Sequence, residues 1–349
     1  MDGRQAADTG RELARLPVLA ICGASGVGKT TLIENLLRRY HDMGLRVAAV
    51  KHDAVRVEVD RPGKDSDRFF RAGADVAIFA RERFFRWHGT EPFAPYLMQL
   101  ARRYDLVLVE GHARTHIPKL WLLQAGSHRP PEQASAVMAS FDRKGVDDRL
   151  VHRWLDTWLA RQWQRRPVRG CVLIGGQSRR MGRPKHLIVR QGKTWLEWTV
   201  ERLAPFVDEV VISGRGELVP SLQQLTRIPD IPGLAGPLAG VLACQRWCPE
   251  ATWLVLACDL PELRSGAIAW LLEQRRPGVA AVMPALQDRA SPEPLLACYE
   301  PRSRYLVEEI AAAGSLRLGL LKGRDGICTP TPPANLQRSW HNANTPDDC

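Results

Sequence analysis

The sequence predicts an α/β fold arranged in two domains. At 349 residues the chain is long enough for about two domains that each bury a core. Two short apolar runs have the character of buried strands, and a glycine-rich loop follows each of them. Strand-like runs alternate with segments of helical spacing, which indicates mostly parallel sheets. The expected divisions are a flexible leader at 1–16, a first domain at 17–163, a linker at 164–170 and a second domain at 171–349.

The composition is typical of a globular protein without membrane spans. Hydrophobic residues make up 45% and charged residues 25% of the chain, and no apolar run approaches the roughly 18 residues of a membrane helix. The polar start of the chain is not a signal peptide, so we expect a cytoplasmic protein with eight reduced cysteines. The net charge of +11 favours anionic partners. No nucleic-acid module is recognisable, so the expected partners are small anions or an acidic protein.

The loop after the first apolar run matches the pattern G-x-x-x-x-G-K-[ST] over residues 23–30. In such a P-loop the glycines let backbone N–H groups converge on phosphates at a helix N-terminus. Lys29 would reach the β- and γ-phosphate oxygens, and the Thr30 hydroxyl would coordinate Mg²⁺. Helical spacing at residues 31–40 completes the pattern of a P-loop NTPase domain. The residues expected to bind nucleotide are Gly23, Ser25, Gly26, Gly28, Lys29, Thr30 and Thr31.

A P-loop also requires a carboxylate at the end of a neighbouring strand, which holds the metal or its water. Glu110 directly follows the apolar run 106–109 and is the expected ligand. Asp105 begins the same run, so we expect it at the opposite end of the strand. Asp53 and Asp60 follow another predicted strand, and either lie near the γ-phosphate or are solvated loop residues.

Further motifs give the first domain a family resemblance. A Lys-His pair at 51–52, a Pro-Gly-Lys-Asp-Ser segment at 62–66, Ala-Gly-Ala at 72–74 and Val-Glu-Gly at 109–111 follow the P-loop in one order. The series resembles the GTP-binding adaptor of molybdopterin-guanine dinucleotide synthesis (MobB), which implies GTP as the ligand. Family members often have further histidines after the Lys-His pair, where this chain has Asp53.

The segment between the domains is short and basic. Residues 148–163 have helical spacing and are expected to close the first domain. The following Gln-Arg-Arg-Pro-Val-Arg-Gly, at 164–170, is broken by Pro167. We interpret it as a linker with solvated charge, the alternative being an anion-binding patch at a domain interface. A linker this short would hold two binding sites at high effective concentration.

The second glycine-rich loop, at 175–185, has no Gly-Lys-Thr ending and is therefore not a second P-loop. Gly175 and Gly176 would allow close backbone approach to a nucleotide. Arg180 and Lys185 would supply positive charge to phosphates. The spacing of Arg-Met-Gly and the following lysine is typical of Rossmann-like nucleotidyltransferases, and this is the fold expected for the second domain.

Later segments extend this resemblance to a family. An apolar run at 209–213, Asp-Ile-Pro-Gly at 230–233, Gly-Pro-Leu-Ala-Gly at 236–240, an apolar run at 253–257 before Cys-Asp-Leu-Pro, and Asn-Ala-Asn-Thr-Pro at 342–346 occur in one order. Together they resemble molybdenum cofactor guanylyltransferase (MobA) across nearly the whole second domain.

The resemblance to the guanylyltransferases implies roles for particular residues. Asp259 would bind Mg²⁺, its alternative role being a helix N-cap. Arg180 and Lys185 would stabilise the leaving pyrophosphate, so the expected catalytic residues are these two and Asp259. Asn342 and Asn344 would either bind the pterin or order the tail. Contacts to the guanine nucleotide are expected from Leu173, Ile174, Gly175, Gly176, Lys185, Ser213, Asp230 and Asp259.

Three positions qualify the comparison with the guanylyltransferases. Ile174 replaces the usual alanine and could crowd the base. Ser213 stands where the family often has asparagine, so a nucleotide contact is expected to be weaker. Asp230 also fits a plain Asp-x-Pro-Gly turn. The double glycine at 175–176 favours guanine over cytosine by resemblance alone.

The leading hypothesis is a bifunctional protein. Its second domain would transfer GMP from GTP to the terminal phosphate of molybdenum-molybdopterin with release of pyrophosphate, and its first domain would be a GTP-binding adaptor with weak GTPase activity. Mg²⁺ would be held by Asp259, Thr30 and Glu110. Cofactor-insertion enzymes or molybdoenzyme chaperones are further candidate partners, whereas nucleic acid and membranes are not expected. The alternatives are a cytidylyltransferase, a sugar-phosphate nucleotidyltransferase, and a GTP-switched cofactor delivery protein with an inactive second domain.

Overall fold

The computed structural model of the chain contains two large sheets, each covered by helices on both faces. It describes residues 12–51, 68–69, 71–72, 76–79, 83–86, 93–142, 148–175, 184–287, 289 and 291–343. Several predictions fall outside the described residues. They concern His52, Asp53, Asp60, the segment 62–66, Gly176, Arg180 and Asn344.

A five-stranded parallel sheet forms the first domain. Its strands are β1 (Val18–Gly23), β2 (Val47–Lys51), β5 (Leu106–Glu110), β6 (Lys119–Leu123) and β7 (Val137–Asp142). The order is β2-β5-β1-β6-β7, so the strand before the P-loop lies at the centre. A separate antiparallel hairpin consists of β3 (Val76–Phe79) and β4 (Arg83–Arg86).

In the described part of the first domain, the helices that cover the sheet are α1 (Lys29–Asp42), α2 (Phe93–Arg103) and α3 (Asp148–Arg165). The apolar sides of α1 and α3 pack on one face, and α2 packs on the other. This arrangement confirms the predicted α/β fold. Leu13 is buried in the core on the α2 side, so this core begins before residue 17, where the sequence placed the domain boundary.

The second domain has a seven-stranded mixed sheet of order β12-β11-β8-β13-β15-β14-β16. The four strands from β12 to β13 are parallel, and β15 runs antiparallel to both of its neighbours. The strands are β8 (Val168–Leu173), β11 (Glu209–Ser213), β12 (Thr226–Ile228), β13 (Thr252–Ala257), β14 (Ala281–Val282), β15 (Ala297–Tyr299) and β16 (Ile327–Cys328). A separate small antiparallel hairpin consists of β9 (Val189–Arg190) and β10 (Lys193–Thr194).

Among the described residues of the second domain, four α-helices cover the sheet, two on each face. Residues of α4 and α6 belong to one buried cluster, and residues of α5 and α7 belong to the other. A capping box starts α4: the Thr194 hydroxyl accepts from the Glu197 N–H at 3.2 Å, and the Glu197 carboxylate accepts from the Thr194 N–H at 2.7 Å. The helices are α4 (Trp195–Leu203), α5 (Gly236–Trp247), α6 (Ser265–Glu273) and α7 (Ser303–Ala312).

The connection between the domains is shorter than the expected linker at 164–170. Only Arg166 and Pro167 separate α3 from β8. The helix ends at Arg165, because the residue that precedes a proline disfavours the helical conformation. The expectation of solvated linker charge is wrong for Arg166. Its guanidinium group is buried, lies 3.4 Å from the Glu300 carboxylate, and has its pKa lowered by burial, an effect that the negative charge of Glu300 opposes.

Glu300 is the centre of a buried network that includes Arg166 of this connection. Its carboxylate pairs with Arg166 and accepts hydrogen bonds from Arg275 Nε at 2.7 Å and from the Thr252 hydroxyl at 2.8 Å. Arg275 also donates to the carbonyl oxygen of Trp163 in α3 at 3.4 Å. The network therefore joins the last helix of the first domain to the sheet of the second.

A second buried ion pair crosses the same interface. Asp105, just before β5, is fully buried and lies 3.3 Å from Arg302 Nε. Its other oxygen accepts from the Arg46 N–H at 2.8 Å. Burial raises the pKa of Asp105, and the positive charge of Arg302 opposes that rise. Arg302 also donates to the carbonyl of Gly278 at 2.7 Å, which anchors the guanidinium in the second domain.

The Glu300 network provides a test of the interface. The substitution Glu300→Gln preserves shape but leaves Arg166 and Arg275 buried without a carboxylate. We expect it to lower the free energy of unfolding by about 3–5 kcal/mol, the usual effect of removing one partner from a buried ion pair. Chemical denaturation of the full chain measures this change.

The matched control is Glu309→Gln, which removes the carboxylate of a largely exposed pair with Arg324. Its expected effect is below about 1 kcal/mol, because exposed ion pairs contribute little to stability. Equal losses for the two variants would contradict the assignment of Glu300 as the centre of a buried network.

Candidate functional site

The P-loop connects β1 to α1 at the centre of the first sheet. Gly26 and Gly28 have φ values of 75° and 90°, a left-handed conformation that favours glycine. A Cβ at Gly23 would lie 2.6 Å from the carbonyl oxygen of Leu122, so β6 leaves no room for a side chain there. The glycines of the motif are therefore required by backbone conformation and by close packing. Ser25 and Thr31 are exposed on the same loop and helix start.

The ammonium group of Lys29 lies over this loop. It donates to the carbonyl oxygens of Gly23 at 3.2 Å and Ala24 at 2.8 Å. These bonds hold the lysine on the side of the loop where phosphates bind in P-loops. A cavity of about 640 Å³ adjoins Gly23 and Ala24. This volume lies within the range of about 300–1,000 Å³ that is typical of small-molecule sites.

Thr30 and Glu110 meet beside the P-loop, as the sequence predicts. The Thr30 hydroxyl donates to Glu110 Oε1 at 3.1 Å. The parallel pairing of β1 with β5 places Ile21 opposite Glu110, and this register brings the carboxylate to the loop. Asp105 lies at the opposite end of β5, also as expected. A hydroxyl and a carboxylate are the hard oxygen donors that Mg²⁺ prefers.

A second cluster of predicted residues lies at the carboxyl edge of the second sheet. Leu173 at the end of β8 is paired with Ser213 of β11 on one side and with Ala257 of β13 on the other. Because parallel strands end at one edge, the segments that follow these strands are neighbours. The structure thus brings together the predicted residues Leu173, Ile174, Gly175, Ser213, Asp230 and Asp259.

Lys185 and Asp259 form the charged centre of this edge. Lys185 Nζ donates to Asp259 Oδ2 at 2.7 Å and to the carbonyl oxygen of Ala343 at 2.8 Å. The N–H of Ala343 in turn donates to the carbonyl oxygen of Asp259 at 3.0 Å. The tail thus closes on the pair, and Asn342 lies next to this contact in the sequence. The other oxygen of Asp259, Oδ1, is buried and has no hydrogen-bond partner among the described residues.

Two neighbouring predicted positions are buried. The Ile174 side chain is buried in the core beside Val172 and Ile212, so it does not extend towards a bound base. Its N–H donates to the carbonyl of Ser213 at 2.8 Å. The Ser213 hydroxyl is buried and close to Gly240 of α5, without a hydrogen-bond partner among the described residues.

The remaining described residues of this edge are more open. Gly175 has a φ of 108° and is exposed. Asp230 lies 4.0 Å from the guanidinium of Arg215, which is 94% exposed, so this ion pair is loose. Sequence reasoning missed Gly214, where a side chain would clash with the carbonyl of Ile174. The Ser-Gly-Arg-Gly run at 213–216, which begins at the last residue of β11, was the signal that pointed to it.

Two negative findings apply to the described part of the chain. None of its helices combines the length and apolarity needed to cross a membrane. Within the same residues, no cluster of three or more histidine, cysteine, aspartate or glutamate side chains could hold a metal ion.

Two family models match the chain. The model of molybdopterin guanine dinucleotide synthesis protein B matches residues 18–141, and the model of the MobA-like NTP transferase domain matches residues 170–323. The two matched segments lie on either side of α3 and the two-residue connection. Each contains one of the two sites described above.

Individual relatives agree with the family models. The chain is 32% identical over 189 residues to the molybdenum cofactor biosynthesis bifunctional protein of Synechocystis, which is 52% of this chain and 52% of that protein. It thus matches about half the length of this relative. It is 31% identical over 157 residues to a probable molybdenum cofactor guanylyltransferase of Bacillus mycoides, covering 42% of this chain and 78% of that protein.

A third relative matches the first domain. The molybdopterin-guanine dinucleotide biosynthesis adapter protein of Haemophilus influenzae is 37% identical over 131 residues, which are 36% of this chain and 74% of that protein. The matches to the Bacillus mycoides and Haemophilus influenzae proteins each cover about three quarters of the relative. The chain therefore belongs to the molybdenum cofactor guanylyltransferase family through its second domain and to the MobB adapter family through its first.

Proposed function

We propose that the second domain transfers GMP from GTP to the terminal phosphate of molybdenum-molybdopterin. The observation that carries this proposal is the Lys185–Asp259 pair, placed by parallel pairing beside the loop that begins at Gly175. Family membership of both domains supports it, since relatives of each are named for steps of molybdenum cofactor biosynthesis. The comparisons do not favour the sugar-phosphate or delivery-protein alternatives.

The reaction requires little proton transfer. An oxygen of the acceptor phosphate bonds to the α-phosphorus of GTP, and the bond from that phosphorus to the β-phosphate oxygen breaks. Pyrophosphate leaves with the electron pair. Because the attacking group is already an oxyanion, the protein needs to position the phosphates and neutralise their charge. Lys185 fits this task, since its ammonium is held at the sheet edge by Asp259 and by the carbonyl of Ala343.

The residues present fit Mg²⁺. Asp259 would hold the ion in the second domain, where its Oδ1 is buried and has no hydrogen-bond partner among the described residues. Thr30 and Glu110 would hold it in the first, where their oxygens lie 3.1 Å apart. The bound ion would supply positive charge to the phosphates. Arg180, Gly176 and Asn344 retain their predicted roles within this proposal.

The first domain would bind GTP and assist the transferase, with weak GTPase activity. Its support is the intact P-loop, the position of Lys29 over the loop, and the cavity beside Gly23. We propose that each of the two folded domains carries one of these functions, with cofactor-insertion enzymes or molybdoenzyme chaperones as downstream partners. Asn342, beside the Lys185–Ala343 contact, would lie next to the acceptor.

The two sites can be separated by substitution. Asp259→Asn is expected to lower the rate of GMP transfer by about 100-fold or more, because it removes the negative charge that would hold the metal and that positions the Lys185 ammonium. Lys29→Ala is expected to weaken GTP binding by the first domain while leaving transfer nearly unchanged. The measurement is cofactor-dependent formation of the dinucleotide by the full chain.

Glu309→Gln, an exposed acidic residue of the second domain, is the control for Asp259→Asn. Full transfer by the Asp259→Asn protein would contradict the assigned role. If transfer instead depended on Lys29 as strongly as on Asp259, the delivery-protein alternative would gain support.

The choice of nucleotide provides a separate prediction. Pyrophosphate release is expected from GTP and not from CTP, and only when the molybdenum cofactor is present. The reason is family membership of the second domain, whose relatives are named guanylyltransferases. Faster release from CTP would convert the proposal to a cytidylyltransferase. No cofactor-dependent release with either nucleotide would reject the transferase proposal.

A further inference from the structure

A small cavity lies beside Asp259 and takes no part in the site described so far. Its volume is about 130 Å³, and it lies between α4, the β9–β10 hairpin and the segment after β13. This is below the range of about 300–1,000 Å³ for sites that bury a whole small molecule, so it suits one ring system or one anionic group. The residues that define its character are Arg190, Trp195, Trp198, Arg202, Cys258 and Pro261.

The cavity has an excess of positive charge. Arg190 is close enough to affect Arg202: burial lowers the pKa of Arg202, the positive charge of Arg190 lowers it further, and the negative charge of Glu201 opposes this fall. Neither guanidinium group has a carboxylate within 4.0 Å among the described residues. The nearby Glu201 is paired with Lys193 at 2.6 Å. Two adjacent arginines without an acidic partner are typical of a site for an anion.

Two tryptophans give the cavity flat apolar surface and an unused donor. Trp195 is 3% exposed, and its indole Nε1–H has no hydrogen-bond partner among the described residues. The capping box at Thr194 fixes its position, because Trp195 is the first residue of α4. Trp198 is partly exposed, and the Arg202 guanidinium lies 4.8 Å from its ring centroid. Aromatic and guanidinium planes of this kind stack on heteroaromatic rings.

The lining of the cavity includes residues that are close to Asp259 in the sequence. These residues are Cys258, Leu260 and Pro261. The nucleotide-side residues Leu173 and Ser213 belong to β8 and β11, whereas β13 lies on the other side of β8.

We propose that this cavity binds the ring end of a phosphorylated pterin, the acceptor in the transfer reaction. The pterin would lie against Trp198, and its carbonyl oxygen and ring nitrogens would accept hydrogen bonds from Arg190, Arg202 and the Trp195 indole. Its phosphate would then be directed towards Lys185 and Asp259. This inference rests on the proposed function, and it assigns the pterin to the β13 side of the sheet edge.

Direct binding tests this assignment without turnover. Isothermal titration of the full chain would use 6-hydroxymethylpterin phosphate, with 6-hydroxymethylpterin and inorganic phosphate as separate probes. We expect Arg202→Gln, Arg190→Gln and Trp198→Leu each to weaken binding of the phosphorylated pterin by about tenfold, the loss of one charge-assisted or stacking contact. The matched controls are Arg317→Gln and Trp247→Leu, two exposed residues of the same domain that do not line the cavity.

Steady-state kinetics give a second readout. The cavity variants should raise the KM for the molybdenum cofactor about tenfold and leave the KM for GTP unchanged. Thermal melting of every variant shows whether it is folded, and Arg190 is the safest site because it is exposed on the hairpin. Unchanged pterin binding in the folded Arg190→Gln protein, or equal loss in the controls, would overturn the assignment.

The other outcomes also decide the question. Inorganic phosphate binding as tightly as the phosphorylated pterin would show an anion site without ring recognition. A raised KM for GTP with unchanged pterin binding would assign the cavity to the nucleotide. Either result overturns the proposal. If pterin binding depends on the cavity but no GMP is transferred, the proposed function fails while the cavity assignment stands.

Discussion

The parallel pairing of β8 with β11 and β13 is the constraint on which the chemistry of the second domain depends. It brings the carboxyl ends of the strands to one edge, and so places Asp259 beside Lys185 although they are 74 positions apart. The first domain uses the same device, since the pairing of β1 with β5 brings Glu110 to Thr30 across 80 positions. Rigid strands therefore position the residues of both sites. A sheet of this kind can in this way support phosphate chemistry without a dedicated cluster of side chains.

Motifs and apolar runs in the sequence were sufficient to predict the two α/β domains, the P-loop, and the partnership of Thr30 with Glu110. The burial of Arg166 was not predictable, because a basic run looks the same whether its charges are solvated or paired, and its partner Glu300 is 134 positions away. The Ala343 carbonyl was missed because it is a backbone acceptor that no residue type reveals. Ile174 was open to prediction: strand alternation puts it on the same face as Val172, in the core.

The strand β5 extends from the domain interface to the P-loop. Asp105, at its start, is paired with Arg302 of the second domain, and Glu110, at its end, contacts the P-loop. Five residues of extended chain span about 17 Å, so the interface and the first nucleotide site are separated by little more than one strand. The two domains are thus connected through a rigid element as well as through the short connection at Arg166, and their relative orientation has several independent supports.

The buried pair of Asp105 and Arg302 has a consequence for domain exchange. A chimera that joins this transferase domain to an adapter domain from another protein would leave Arg302 facing whatever replaces Asp105. An apolar residue there would leave the guanidinium with Asp325 and the Gly278 carbonyl of its own domain, but without the buried carboxylate that faces its Nε. That loss would destabilise the graft even if both parts fold well alone, so a workable graft should carry both halves of the pair, or neither. Substitutions in one domain are for the same reason expected to change the tolerance for substitutions in the other, so the two halves of the chain should vary together.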